Sequence, residues 1–219
     1  MLALAANGAA EGLWLRADRQ TGGRGRQGRV WQSPPGNFYG STLVRLRSGD
    51  PAAATLALVV AVALDEAVGV YAPGADLAIK WPNDLLLGGA KLAGILLERA
   101  GDAVVIGVGV NLAHHPADLD RRVTSLAAHG PAPDPAEFAQ TLADTFARWL
   151  GRWRGEGLGV IRDAWTAYAH TPGTALAVNL PDGERAEGLF ERLDSDGALI
   201  LRLADGRVRA IHAGDVFLI

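Results

Sequence analysis

The 219-residue sequence has no cysteine. That removes disulfide frameworks, thiolate zinc sites and any thioester-forming nucleophile from consideration. It has only two lysines, Lys80 and Lys91, against 19 arginines. Acidic side chains outnumber basic ones by 24 to 21, so no global charge favours nucleic acid. No secretory leader is visible: Met1 to Ala10 is apolar but lacks a basic start and a long apolar stretch. The longest apolar run, Ala52 to Leu64, is closed by Asp65 and Glu66. It falls short of the roughly 18 residues that cross a bilayer and reads as a buried helix, with Asp50 as N-cap and Pro51 at the first helical position. A cytoplasmic protein that uses no membrane is expected. The two lysines are consecutive in the series of basic residues. In a chain whose cations are otherwise arginine, a compact, mobile ammonium is kept where a planar guanidinium cannot substitute, as against a transferring phosphoryl or carboxyl group.

What remains is a chain with 49% apolar and 21% charged residues, enough to bury a core. Strands are predicted over Leu13–Ala17, Phe38–Leu46, Leu77–Trp81, Asp84–Leu87, Leu92–Arg99 and Ala103–Asn111. Gly88-Gly89 and Gly101-Asp102 act as hairpin turns. One helix followed by an antiparallel meander predicts an α+β fold. A Pro-rich loop over His114–Pro135 precedes amphipathic helices at about Pro135–Arg154 and Leu158–Ala169. In the first of these, Phe138, Leu142, Phe146 and Trp149 or Leu150 repeat at core spacing. From Thr171 the texture changes. Asp-Gly turns at Asp182-Gly183, Asp196-Gly197 and Asp205-Gly206 punctuate four or five short strands, which predicts a small β-barrel. The expected domains are 1–170 and 171–219.

Four stretches could carry chemistry. Gln20 to Trp31 packs four glycines and three arginines between Gly22 and Arg29. Glycines let backbone approach a ligand closely, and Arg24, Arg26 and Arg29 offer forked donors to carboxylate and phosphate oxygens. A solvated basic turn and an RGG-like nucleic-acid segment are the competing readings. Ile79-Lys-Trp-Pro-Asn-Asp84 places a Lys in an apolar strand, where it faces an anion or snorkels from a sheet edge above an ordinary turn. Lys91-Leu-Ala-Gly-Ile-Leu-Leu-Glu98 alternates so that Lys91 lies on one strand face and Gly94 on the other. Gly107-Val-Gly-Val-Asn111 lacks the third glycine and helix of a dinucleotide fold. Its Asn111 caps a turn or ligates a metal. His114-His115 read as loop residues, and Asp118, Asp120, Arg121 and Arg122 as a solvated charge cluster.

Taken in this order, the stretches resemble the biotin–protein ligases (biotin holoenzyme synthetases). The residues that carry the resemblance are Gly23-Arg-Gly-Arg-Gln-Gly-Arg-Val-Trp31, Lys80-Trp-Pro-Asn-Asp84, Lys91-Leu-Ala-Gly-Ile-Leu-Leu-Glu98 and Gly107-Val-Gly-Val-Asn111. Thr124-Ser-Leu126 and the C-terminal Gly188, Gly197 and Gly214-Asp-Val216 also match. The resemblance implies an α+β catalytic domain of class II aminoacyl-tRNA synthetase type, followed by an SH3-like β-barrel. The reaction it implies uses biotin, ATP and Mg²⁺. Biotinyl-5′-AMP forms first, and biotin is then transferred to a lysine of a biotin carboxyl carrier domain of a carboxylase; a homodimer is compatible. By similarity Lys80 and Arg26 are catalytic, and Gln20, Gly23, Arg24, Gly25, Arg26 and Lys80 bind biotin. Arg26, Arg29, Trp31, Asn83, Lys91 and Asn111 attend the nucleotide, with Asn111 near the metal. The family's Ser-Thr-Asn segment before the Gln20 loop has no counterpart, because no Ser or Thr precedes Thr21; a ligase short of its first helix is expected. Lipoate or octanoate transfer on the same scaffold is the alternative, which the Gly-Arg-Gly-Arg loop disfavours. A nucleic-acid module is the remaining one.

Overall fold

A computed structural model describes residues 1–117, 119 and 121–219. Six antiparallel strands build the larger sheet: β1 (Trp14–Arg16), β2 (Phe38–Arg45), β3 (Leu77–Lys80), β4 (Asp84–Leu87), β5 (Ala90–Ala100) and β6 (Ala103–Val110), in the order β1-β2-β6-β5-β4-β3. Alternation along each strand separates two faces. Phe38, Val44, Leu85, Ile95, Ile106 and Val110 belong to the core. Against that core pack α2 (Leu56–Tyr71), α3 (Pro135–Gly155) and α4 (Leu158–Tyr168). The opposite face is covered at one end by the short helix α1 (Leu2–Ala6), which packs on Leu43, Ala103 and Val105. The rest of that face is left for the site.

The helices follow their sequences. Asp134 accepts from the Ala136 and Glu137 amides at 2.7 and 3.3 Å, and Pro135 takes the first turn of α3. Phe138, Leu142, Phe146, Trp149 and Leu150 are buried as their spacing predicts. The α2 expectation needs correction. The helix is entered through a 3-10 turn at Ala53–Thr55 and begins at Leu56. Asp50 caps nothing there; it accepts from the Arg47 amide at 2.9 Å and pairs with Arg154. Residues 53–71 form one stretch of 19 residues, long and apolar enough by composition to cross a bilayer, yet 67% of its most apolar window is buried inside the protein.

The C-terminal strands β7 (Ala175–Asn179), β8 (Arg185–Leu193), β9 (Leu199–Arg202), β10 (Val208–Ile211) and β11 (Asp215–Leu218) form a second antiparallel sheet, ordered β10-β9-β8-β7-β11. Its core is continuous with the first. Trp165 of α4 meets Phe190 of β8 edge to face, with ring centroids 6.1 Å apart, and the Trp81 indole donates to the Gly197 carbonyl at 3.2 Å.

Candidate active site

The exposed face of the larger sheet carries a cavity of about 360 Å³. Its floor exists because glycines occupy the inward positions. Gly94 of β5 pairs with Gly109 of β6, and Gly107 pairs with Ser41 of β2. Trp31 lies flat on this floor. A Cβ at Gly109 would stand 2.7 Å from the Trp31 ring, and one at Gly94 would be 3.2 Å from both that ring and the Lys91 ammonium. No side chain fits at Gly109 without moving the indole. A strand glycine marks a close approach, and the approaching group is Trp31.

Lys91 reaches the site through a β-bulge. Leu85 pairs with Ala93 and Leu86 with Lys91, so Leu92 is the extra residue and turns into the core. The bulge re-phases the strand. Lys91 therefore shares the floor face with Gly94, opposite to what simple alternation predicts. Its backbone leaves the β6 ladder to exchange bonds with the Arg122 carbonyl and the Thr124 amide, both at 2.9 Å. The ammonium lies 2.5 Å from Asp84 and 5.6 Å from the Trp31 ring centroid. Burial pushes the Lys91 ammonium below its usual range; Asp84 opposes that shift, while Arg121 and Lys80 add to it.

The Gln20–Trp31 segment forms the roof as a small hairpin. Arg24 pairs with Val30, and the Trp31 amide donates to the Gly23 carbonyl at 3.0 Å. The turn places Gln27 and Gly28 at φ 57° and 71°, the primed geometry that suits a tight hairpin. Arg24 pairs with Glu98 at 3.2 Å. Arg26 donates to Asn83 Oδ1 at 3.2 Å and to the Gly214 carbonyl at 3.3 Å. Arg29 donates to Gln27 Oε1 at 2.8 Å and pairs with Asp215 of the second sheet. Asn83 is itself fixed by donating to the Ile95 carbonyl at 2.8 Å.

Of the residues singled out in the sequence, Gln20, Arg24, Gly25, Arg26, Arg29, Trp31, Asn83 and Lys91 line this cavity. Three do not. Lys80 donates to the Val216 carbonyl at 3.1 Å and lies 3.7 Å from Asp84. Asn111 is 4% exposed and donates to the Thr124 carbonyl at 3.0 Å. Gly23 braces the hairpin, where a Cβ would lie 2.4 Å from the Trp31 carbonyl oxygen. Among the described residues no group of three or more His, Asp or Glu side chains is arranged to hold a metal. The sequence reading missed Arg121, Glu98, Asp215, Met1 and the α1 residues Leu2 and Ala3, all of which line the cavity. Arg121 had been read with Asp118 and Asp120, which lie outside the described residues.

The lining holds five cations (Arg24, Arg26, Arg29, Lys91 and Arg121) against three carboxylates (Asp84, Glu98 and Asp215). A chain of net charge −3 thus concentrates positive charge in one place, the arrangement that gathers anionic ligands. At the other end α1 supplies an apolar wall.

Comparison with known proteins gives this geometry a lineage. Residues 8–111 match the Biotin/lipoate A/B protein ligase family, and residues 177–219 match the Biotin protein ligase C terminal domain. A biotin–[acetyl-CoA-carboxylase] ligase from Paracoccus denitrificans is 43% identical, over 97% of this chain and 92% of its own length. One from Mycobacterium tuberculosis is 36% identical, over 99% of this chain and 83% of its own. A biotin protein ligase from Aquifex aeolicus, solved in complex with biotin and ATP, shares the fold with a TM-score of 0.86 at 24% identity, covering 96% of this chain and 90% of that one. Likeness of this extent, running through both sheets, leaves one lineage: the chain belongs to the biotin–[acetyl-CoA-carboxylase] ligase family.

Proposed function

We propose that the chain is an ATP-dependent biotin–protein ligase of the cytoplasm, and that Lys91, not Lys80, is the lysine at the reacting atoms. The observation that carries the reading is the buried Lys91 ammonium under Trp31, at the cationic end of a glycine-floored cavity. Biotin's carboxylate and the triphosphate are both anionic. Bringing them together requires cations placed before the transition state. Biotin's apolar body would lie along α1 and the glycine floor, with its carboxylate toward Lys91 and its rings covered by Gln20 and Arg24. The nucleotide would take the opposite side, where Arg26, Arg29 and Asn83 converge.

In the first step a biotin carboxylate oxygen attacks the α-phosphorus, and the bond to the pyrophosphate oxygen breaks. Lys91 neutralises charge at the carboxylate and the α-phosphate, and Arg26 and Arg29 stabilise the departing phosphates. In the second step an acceptor lysine amine attacks the acyl carbon, AMP leaves, and the amine gives up its proton. Arg26 and the roof exclude water from the mixed anhydride meanwhile. Asn83 and Asp84 are hard oxygen donors on the cavity wall. They would be the residues to hold a Mg²⁺ brought by the phosphates, which would supply further charge neutralisation there. The acceptor would be a biotin carboxyl carrier domain of a biotin-dependent carboxylase. Residues 1–170 would house the chemistry, with 171–219 as a barrel appended to it.

The test is pyrophosphate exchange into ATP with biotin, lipoate or octanoate. Exchange driven by biotin alone is expected. Exchange driven by lipoate or octanoate instead would move the chain to the related acyl ligases.

A further inference from the structure

Three consecutive residues at the start of β11 grip three cations, two of the roof and one of β3. The Gly214 carbonyl accepts from Arg26 at 3.3 Å, the Asp215 carboxylate pairs with Arg29, and the Val216 carbonyl accepts from Lys80 at 3.1 Å. We propose that Asp215 is a positioning residue for the nucleotide half of the site, holding Arg29 and with it the glycine-arginine roof in the geometry that receives phosphate. This deepens the ligase reading and rests on it for the identity of the ligand.

The roof needs such a support. It contains Gly22, Gly23, Gly25 and Gly28 in twelve residues, and glycine loses more conformational freedom on ordering than any other residue. Among the described residues its arginines have four polar anchors outside the loop. Two lie on the first sheet, Glu98 for Arg24 and Asn83 for Arg26. The other two, the Gly214 carbonyl and the Asp215 carboxylate, lie on the second. The platform behind them is rigid. Val216 is buried, and Asp215 and Val216 are paired with Asn179 and Val178 of β7. A Cβ on Gly214 would come within 2.5 Å of Val178 Cγ1 and 3.0 Å of the Asn179 carbonyl oxygen. Arg29 gives Asp215 only Nη2, which it shares with Gln27. A guanidinium carries five N–H donors in a fixed fork, so the edge turned away from Asp215 stays available to a phosphate. A carboxylate in a cationic cavity would otherwise repel the nucleotide. Its place behind Arg29 makes it a support instead.

The test uses the whole chain and two variants, Asp215→Asn and Gly214→Ala. The first removes the charge with little change of shape; the second moves the platform and leaves every charge in place. Limited trypsin digestion without ligand, read by mass spectrometry at Arg24, Arg26 and Arg29, reports roof order independently of any activity. Both variants should be cut in the roof several-fold faster. In biotin-dependent exchange, Asp215→Asn should raise KM for ATP about ten-fold, the worth of one charge-assisted hydrogen bond, with KM for biotin little changed. Asp215→Glu should recover part of that loss, which a merely structural role would not give. Roof cutting at the parental rate in both variants, or an unchanged KM for ATP in Asp215→Asn, overturns the proposal. Absence of exchange in the parent chain removes the ligase reading instead, and the digestion then decides the latch alone.

Discussion

Lys91 and Lys80 differ by what surrounds them. Both approach Asp84, but Lys91 is held at 2.5 Å within the cavity lining, whereas Lys80 is 3.7 Å away and occupied by a barrel carbonyl. Lys91→Gln should therefore lower biotin-dependent exchange by about a hundred- to a thousand-fold, the scale of losing one preorganised charge. Lys91→Arg should not restore it, because a planar fork cannot occupy the space of a compact ammonium between Asp84 and the Trp31 ring. Lys80→Met, by contrast, should keep exchange within about ten-fold of the parent, the cost of one or two supporting hydrogen bonds. Exchange rates that ranked the two lysines the other way would return Lys80 to the chemistry. A second buried charge has a purely energetic meaning. Asp65 of α2 is 6% exposed, and its Oδ1 has no hydrogen-bond partner among the described residues. Burial, reinforced by the neighbouring Glu66, pushes its carboxyl up from 3.8 to about 6. Because the folded state holds this proton more tightly than the unfolded chain does, the group opposes folding fully above pH 6. That opposition fades as pH falls from 6 toward 3.8. The displacement corresponds to about 3 kcal/mol, of which a neutral but still buried amide recovers a part. Asp65→Asn should raise the thermal midpoint at pH 8 by a few degrees and lose that advantage by pH 4. A gain that persisted unchanged at pH 4 would show that the carboxylate charge is not its source.

At the level of elements the site depends on two devices, a bulge and a pair of facing glycines, and they differ in how far a sequence exposes them. Gly107-Val-Gly-Val is visible as a strand with every second side chain missing, and the Trp31 ring takes up the space at Gly109. The bulge at Leu92 is not visible. Nothing in Lys91-Leu-Ala-Gly distinguishes a regular strand from one with an extra residue, so alternation assigns Lys91 to the wrong face. The register is set by β4 and by the Val123 segment across the sheet, partners that local periodicity cannot report. The start of α2 fails for a similar reason. Asp50-Pro51 is good capping chemistry, but Arg154, more than a hundred positions away, claims the carboxylate. The roof arginines and Trp31 were legible because their pattern is local. Arg121 and Asp215 were not, since only the fold brings them to the cavity. The glycine floor gives a direct prediction. Gly109→Ala would put a methyl 2.7 Å from the Trp31 indole, so exchange should fall by about a hundred-fold while far-ultraviolet circular dichroism stays unchanged. Trp31→Phe removes one ring from that crowded space. The double variant should be more active than the additive product of the two single ones, because residues in contact couple; strict additivity would mean that the methyl acts elsewhere.

On the scale of the whole molecule, composition suggested two units with a seam at Thr171, and the packing qualifies how independent they are. Buried apolar residues from both sheets share the main cluster, which runs from Ile79 and Trp165 into Leu176, Phe190 and Leu201. The barrel hairpin at Gly197 also docks on the start of α2, where a Cβ at Gly197 would lie 2.9 Å from Leu58. Separate domains meet across a polar surface that can part; here the seam is filled by aromatic and aliphatic side chains whose exposure would be costly. If the barrel also anchors the roof, that continuity has a functional use, because the distance between Asp215 and Arg29 can be fixed only if the two sheets move together. The chain should then unfold in a single calorimetric transition, and Phe190→Ala should lower its midpoint without splitting it. The expected loss is about 3–5 kcal/mol for a buried Phe truncated against a Trp, which for a chain of this size lowers the midpoint by about 10 °C. Two resolved transitions in the parent chain, or a Phe190→Ala variant in which the barrel melts first while the larger sheet keeps its midpoint, would show that the sheets are coupled too weakly for one to hold the other's loop.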